Sequence, residues 1–187
     1  MVKVVVINGA CGAGKSEFER ICQSQCGYFA MQPGFDGIRM LRVDIISSVD
    51  FVKEVATICG WDGSKTLENR KFLSDLKALL TKWNNVPYKI LETRARTLPS
   101  NYDWLMLVDC REPTEIQKLK EGLNATTVLI RRESVEGNET SNSSDANVMN
   151  YNYDLTIDNN SDIINLENEA KRFIEYMRGA PSYEYDN

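Results

Sequence analysis

The sequence contains no histidine, so any mechanism that needs imidazole as base, nucleophile or metal ligand is excluded. It has no apolar run approaching the length of a membrane span. Its apolar start is short and runs straight into glycines, so no signal peptide is expected there. The five cysteines, Cys11, Cys22, Cys26, Cys59 and Cys110, are odd in number and scattered without C-x-x-C spacing. That usage predicts reduced thiols in a cytoplasmic protein rather than disulfides or zinc. Basic residues are not in excess: the net charge is −5, which argues against a nucleic acid polymer or an anionic membrane as partner. No internal repeat is present. What remains is an ordinary globular composition, 42% apolar and 26% charged, in a chain long enough for one domain with a full core.

Against that background the stretch "VVVINGACGAGKS", residues 4 to 16, stands out. Val4, Val5, Val6 and Ile7 read as a strand buried on both faces, because β-branched residues fit a pleated sheet and nothing alternates. Gly9, Gly12 and Gly14 permit a bend with positive φ. Phe18, Ile21 and Cys22 then recur at helical spacing. Gly9, four intervening residues (Ala10, Cys11, Gly12, Ala13), Gly14, Lys15 and Ser16 fit the phosphate-binding P-loop in its required strand–loop–helix context. Consecutive N–H groups and a helix N-terminus make such a loop an anion site. Lys15 adds a charge that reaches β- and γ-phosphates, and the Ser16 hydroxyl can ligate Mg²⁺. ATP and Mg²⁺ are the expected cofactors. Cys11 in the loop reads either as a reactive thiol or as a small neutral side chain.

Further elements follow in alternation. Strands are predicted at residues 40–48, 103–110, 125–131 and 153–158. Helices are predicted at 49–59 with Gly60 as C-cap, at 66–83, from Tyr88 to Arg96, from Pro113 onward and from Asp162 to Met177. Leu67, Phe72, Leu76, Leu79 and Leu80 form an apolar stripe on the 66–83 helix, and Ile163, Leu166, Ala170, Phe173 and Ile174 are expected to face inward on the last helix. The turn-rich segment 27–37 and the polar segment 132–150 read as loops, the second as an active-site lid or plain surface disorder. Residues 179–187 read as a flexible tail. Alternating strands and helices imply a parallel sheet covered on both faces, with ligands at the carboxyl ends of its strands.

That rule selects the remaining candidates. Asp109 closes "WLMLVD", the position from which a Walker-B acid holds Mg²⁺; the alternative is a cap for the helix starting at Pro113. Arg111 could fork onto a phosphate or stay solvated. Asp44 is expected to close the second strand, as a base for a hydroxyl acceptor, an orienting group for a phosphate acceptor, or a turn residue. Transfer between two anions needs cations, and Lys53, Lys65, Arg70, Arg131 and Arg132 are the candidates. Trp61 and Phe35 could stack on a base or serve as core.

The blocks "GACGAGKS", "VKEVATICGWDGSKTLENRKFLSDL", "LVDCREPTEI", "VLIRR" and "YNYDLTIDNNSDIINL" together resemble the bacteriophage-type deoxynucleoside monophosphate kinases. Animal phosphomevalonate kinases are more distantly similar. Asp109-x-Arg111 followed by Glu115, and the run Lys53, Gly60, Lys65, Arg70, carry the most specific part of the resemblance. It implies a single P-loop kinase domain over residues 1–178, a three-layer α/β sandwich with a five-stranded parallel sheet in the order 2-3-1-4-5. It implies that Lys15 and Ser16 serve ATP and Mg²⁺, that Asp109 and Arg111 flank the transferred phosphate, and that Lys53, Lys65, Arg70 and Arg131 face the acceptor. The expected activity is phosphoryl transfer to a small phosphorylated acceptor, foremost a (deoxy)nucleoside monophosphate, by a monomer or a homodimer. The alternatives are a kinase of another small metabolite and a non-catalytic ATP-binding regulatory protein. No Asn-Lys-x-Asp element is present to support a GTPase switch.

Overall fold

The structure is a computed structural model, and it describes residues 1–25, 40–135 and 148–179. The predicted loop at 27–37 with Phe35, Cys26, most of the lid-like segment (136–147) and the tail from residue 180 lie outside the described residues. Five strands, β1 (Val2–Asn8), β2 (Leu41–Ser47), β3 (Asp103–Asp109), β4 (Thr126–Arg131) and β5 (Leu155–Asp158), form one all-parallel sheet in the order β2-β3-β1-β4-β5. Among the described residues six helices accompany them: α1 (Lys15–Ser24), α2 (Asp50–Ile58), α3 (Leu67–Asn84), α4 (Val86–Thr97), α5 (Pro113–Leu123) and α6 (Ile163–Met177). This is the expected P-loop type of α/β sandwich.

β1 lies at the centre, and its composition explains why. Val5, Val6 and Ile7 are fully buried, as are Leu107 and Val108 on β3 and Val128 and Ile130 on β4. Strands covered on both faces favour this uniform β-branched and aliphatic content. Ile7 pairs in register with Asp109 of β3 and with Val128 of β4, so the loop after β1 emerges beside the ends of both neighbours. Phe18 on α1 meets Phe173 on α6 with ring centroids 5.4 Å apart, both fully buried. Each such ring contributes about 1.5–3 kcal/mol through burial.

The polypeptide divides into two compact units, one comprising Met1–Ile45 with Pro99–Asn187 and the other Ile46–Leu98. In the second unit, Gly60 (φ 95°) follows the C-terminus of α2, the Thr66 side chain caps α3 by accepting the Asn69 N–H, and Asn85 (φ 52°) separates α3 from α4.

Two expectations, for Asp44 and Ile163, need correction. Asp44 does not close β2 but lies in its middle, because the strand continues through Ile45 and Ile46 to Ser47. The apolar stripe on α3 is present but contributes no buried residue, and Leu67, Phe72 and Leu79 are exposed. Ile163 is also exposed, because it is the first residue of α6 and projects at the helix start. The described ends of the lid-like segment, Glu133–Val135 and Val148–Asn150, are short 3₁₀ turns rather than open coil.

Candidate functional site

The bend after β1 is held by close approaches that only glycine permits. A Cβ on Gly9 would lie 2.4 Å from the Ile130 carbonyl oxygen of β4. Gly14 has φ 97°, and a Cβ there would lie 2.3 Å from the Asn159 side-chain nitrogen. The loop therefore lies against the ends of β4 and β5. Asn8, fully buried at the end of β1, accepts the Gly9 N–H at 2.8 Å and donates to the Tyr153 hydroxyl at 2.7 Å. Tyr153 in turn donates to the Val148 carbonyl at 2.9 Å. Burial pushes the Tyr153 hydroxyl up to about 12, outweighing its hydrogen bond with Asn8, so it remains a proton donor at physiological pH.

Lys15 is buried at 8% exposure, and its ammonium donates to the Gly9 carbonyl at 2.6 Å and the Ala10 carbonyl at 2.9 Å. The charge thus sits inside the curve of the loop. Gly14 is the N-cap of α1 and provides no side-chain cap, which leaves the N–H groups of the first turn available to an anion. Ser16, in that first turn, is exposed, as are Cys11 and Gly12. Ala13 is buried.

The neighbouring strand ends carry the other candidates. Asp109 is the last residue of β3 and is half-buried; the chain stays beside β1 for one more residue, with the Cys110 N–H donating to the Ile7 carbonyl at 3.2 Å. Arg111 is half-buried, and its carbonyl accepts from the Asn8 amide at 3.4 Å. Arg131 ends β4, half-buried, and Arg132 follows it exposed. Lys15, Ser16, Asp109, Arg111, Arg131 and Arg132 are thus gathered at the carboxyl ends of three adjacent strands. Asp44, in mid-strand, is not at such an end. Among the described residues no cluster of three or more Cys, Asp or Glu could hold a metal by itself.

Lys53, Lys65 and Arg70 belong to the second unit and are all exposed. Lys53 pairs with Asp50 at 3.4 Å. The turn before α3 is built around Asp62, which accepts the Ser64 N–H at 2.9 Å and the Asn69 amide at 3.1 Å. Those bonds, led by the Ser64 backbone, hold the Asp62 carboxyl below its ordinary range. The Trp61 indole donates to the Ser64 carbonyl at 3.3 Å and is half-buried, so it is spent on this turn. Lys65 and Arg70 project from a structured base rather than a loose linker.

Sequence reasoning missed Asn8, Tyr153 and Asn159. Asn8 carried a signal, a polar residue closing an otherwise apolar buried strand. Asn159 gave none, because "DNNSD" reads as a turn.

No family model matches the chain, and no curated protein matches it. Among solved structures it is similar to TT1252 from Thermus thermophilus, at TM-score 0.51 and 15% identity, over 94% of this chain and 97% of that one. It is also similar to the Deinococcus radiodurans tunicamycin resistance protein, at TM-score 0.53 and 14% identity, over 96% of each chain. At these identities the likeness establishes the fold alone.

Proposed function

We propose that this protein is an ATP- and Mg²⁺-dependent kinase of a small phosphorylated acceptor, foremost a (deoxy)nucleoside monophosphate. The observation that carries the reading is the loop from Gly9 to Ser16, with Lys15 turned into its curve and Asp109 in register one strand away. The donor set fits the group: backbone N–H groups and Lys15 suit polyphosphate, and Ser16 with Asp109 suits a hard cation. Bound Mg²⁺ would neutralise charge on the β- and γ-phosphates. Lys15 would leave the Gly9 and Ala10 carbonyls for phosphate oxygens, exchanging two neutral acceptors for charged ones. Arg111 and Arg131 would stabilise the charge spread over the transferred group. Lys53, Lys65 and Arg70 of the second unit would recognise the acceptor's own phosphate, and Arg132 would add positive charge beside Arg131. An acceptor phosphate oxygen is ionised near neutral pH, so no imidazole or other general base is required, in keeping with the absence of histidine.

The test incubates the protein with Mg²⁺-ATP and separate panels of ribo- and deoxynucleoside monophosphates, plus phosphomevalonate, while following ADP, with Lys15→Ala alongside. Acceptor-dependent ADP that disappears in the variant is the expected result. ATP binding without ADP from any acceptor would overturn the nucleotide-kinase reading in favour of a binding protein.

A further inference from the structure

We infer that Asn159 is a positioning residue that holds the phosphate loop in its anion-binding shape before any ligand arrives; the inference rests on the nucleotide-binding reading of that loop. Asn159 follows β5, 146 positions from the loop, and is buried at 8% exposure. Its backbone N–H donates to the Arg131 carbonyl at 2.7 Å, which ties it to the end of β4. Its side-chain amide donates to the Ala13 carbonyl at 2.9 Å.

The consequence lies in the peptide between Ala13 and Gly14. The described chain has no cis peptide bond, and in a planar trans peptide the N–H points opposite the carbonyl. Anchoring the Ala13 oxygen on Asn159 therefore turns the Gly14 N–H to the other side, away from the buried amide. The same contact explains the glycine at 14, since the Asn159 nitrogen occupies the space of a Cβ. At the opposite end of the loop, Asn8 holds the Gly9 N–H and is itself anchored on Tyr153, just before β5. Residues flanking β5 on both sides thus fix the two ends of the bend. A loop ordered in advance spares a ligand the cost of ordering it.

Calorimetric titration of Mg²⁺-ATP into wild type, Asn159→Ala and Asn159→Asp at pH 8 and pH 6 tests this, with thermal melting to confirm that each variant is folded at the titration temperature. Losing the donor should raise the Kd of Asn159→Ala about tenfold at both pH values. Asn159→Asp keeps the size but at pH 8 faces the Ala13 oxygen with a carboxylate. Burial against a carbonyl raises the pKa of such a carboxyl, and once protonated it can donate as the amide did. Its deficit relative to wild type should therefore shrink from pH 8 to pH 6, a recovery that a purely structural role would not produce. Folded variants within about twofold of the wild-type Kd would overturn the inference, as would an Asp deficit equal at both pH values. Loss of the fold in both variants would also overturn it, since the contact would then hold the domain and not the loop. Wild-type protein that binds no Mg²⁺-ATP would instead overturn the nucleotide reading and this inference with it.

Discussion

The unit formed by Met1–Ile45 and Pro99–Asn187 contains 13 Lys and Arg against 21 Asp and Glu, a balance of −8, whereas Ile46–Leu98 contains nine against six, a balance of +3. Packing differs in the same direction. The first unit holds the fully buried Phe18, Phe173, Ile7 and Leu107, while the second buries Val52, Ala56 and Leu91 and leaves all of α3 without a buried residue. A well-packed acidic unit that nevertheless concentrates cations at one set of strand ends suits a phosphate cradle. A thinly packed basic unit suits recognition of an anion in solution, because its field extends over about a Debye length and attracts acceptors. This contrast is what motivates the proposed division of labour, nucleotide on the first unit and acceptor on the second.

Two substitutions should break the contrast most sharply. Phe18→Ala removes a fully buried ring from the α1–α6 contact and should cost about 3–5 kcal/mol in urea unfolding. Leu79→Ala on the exposed face of α3 should stay within about 0.5 kcal/mol. Equal losses would show that the two units do not differ in packing as described. On the proposed reading, in which the ammonium acts on developing charge, Lys15→Ala should lower turnover between about 100- and 1,000-fold while leaving the urea midpoint near that of wild type.

The first unit was largely legible in the sequence, and the reason is physical. The apolar run at β1, the glycines of the bend and the closing Asp109 each report a local demand, so strand, loop and strand end could be read from single stretches. The parallel sheet then followed from the alternation of elements, whereas the strand order came from the resemblance to the kinases. Asn159 and Tyr153 were illegible because their roles are non-local: a polar residue that meets a carbonyl 146 positions away looks like any turn residue. Asp44 was misplaced because strand ends carry a weaker signal than strand centres. On α3 the apolar period was read correctly, but period says only which face could be buried, not whether anything covers it.

The second unit's role can be sharpened by kinetics. Arg70→Ala and Lys65→Ala should each raise the KM for the acceptor about tenfold, as expected when one charge-assisted phosphate contact is lost. The KM for ATP should stay within about twofold. Raising the salt from 0.1 to 0.5 M, which shortens the Debye length from about 10 to roughly 4 Å, should mimic part of the acceptor effect. A variant that weakens ATP and acceptor alike would remove the division between the units.

The smallest expected effect concerns how the first unit closes its own edge. Asp154, just before β5, pairs with Lys120 of α5 and accepts the N–H and hydroxyl of the buried Thr127 at 2.9 and 2.8 Å. Burial works to raise the Asp154 carboxyl, but the Lys120 and Thr127 hydrogen bonds prevail and hold it below its ordinary value of 3.8. The hydrogen bond that Lys120 donates to Asp154 raises Lys120 above 10.5 against a weaker effect of desolvation. A carboxyl lowered in the folded state stabilises above its unfolded pKa and loses that contribution as pH falls through the folded one; a raised lysine stabilises below its unfolded pKa and loses its contribution as pH rises through the folded one. The cluster should therefore contribute fully between about pH 5 and 9.5 and fade on both sides. Because both side chains are more than a third exposed, solvent screens the pair, and Asp154→Asn should cost only about 1 kcal/mol at pH 7. Urea unfolding of wild type and Asp154→Asn at pH 7 and pH 3 checks the sign: the gap between them should narrow at pH 3, below the unfolded-state pKa of the carboxyl, and a gap that widens would show that Asp154 is held up by burial and not down by its partners.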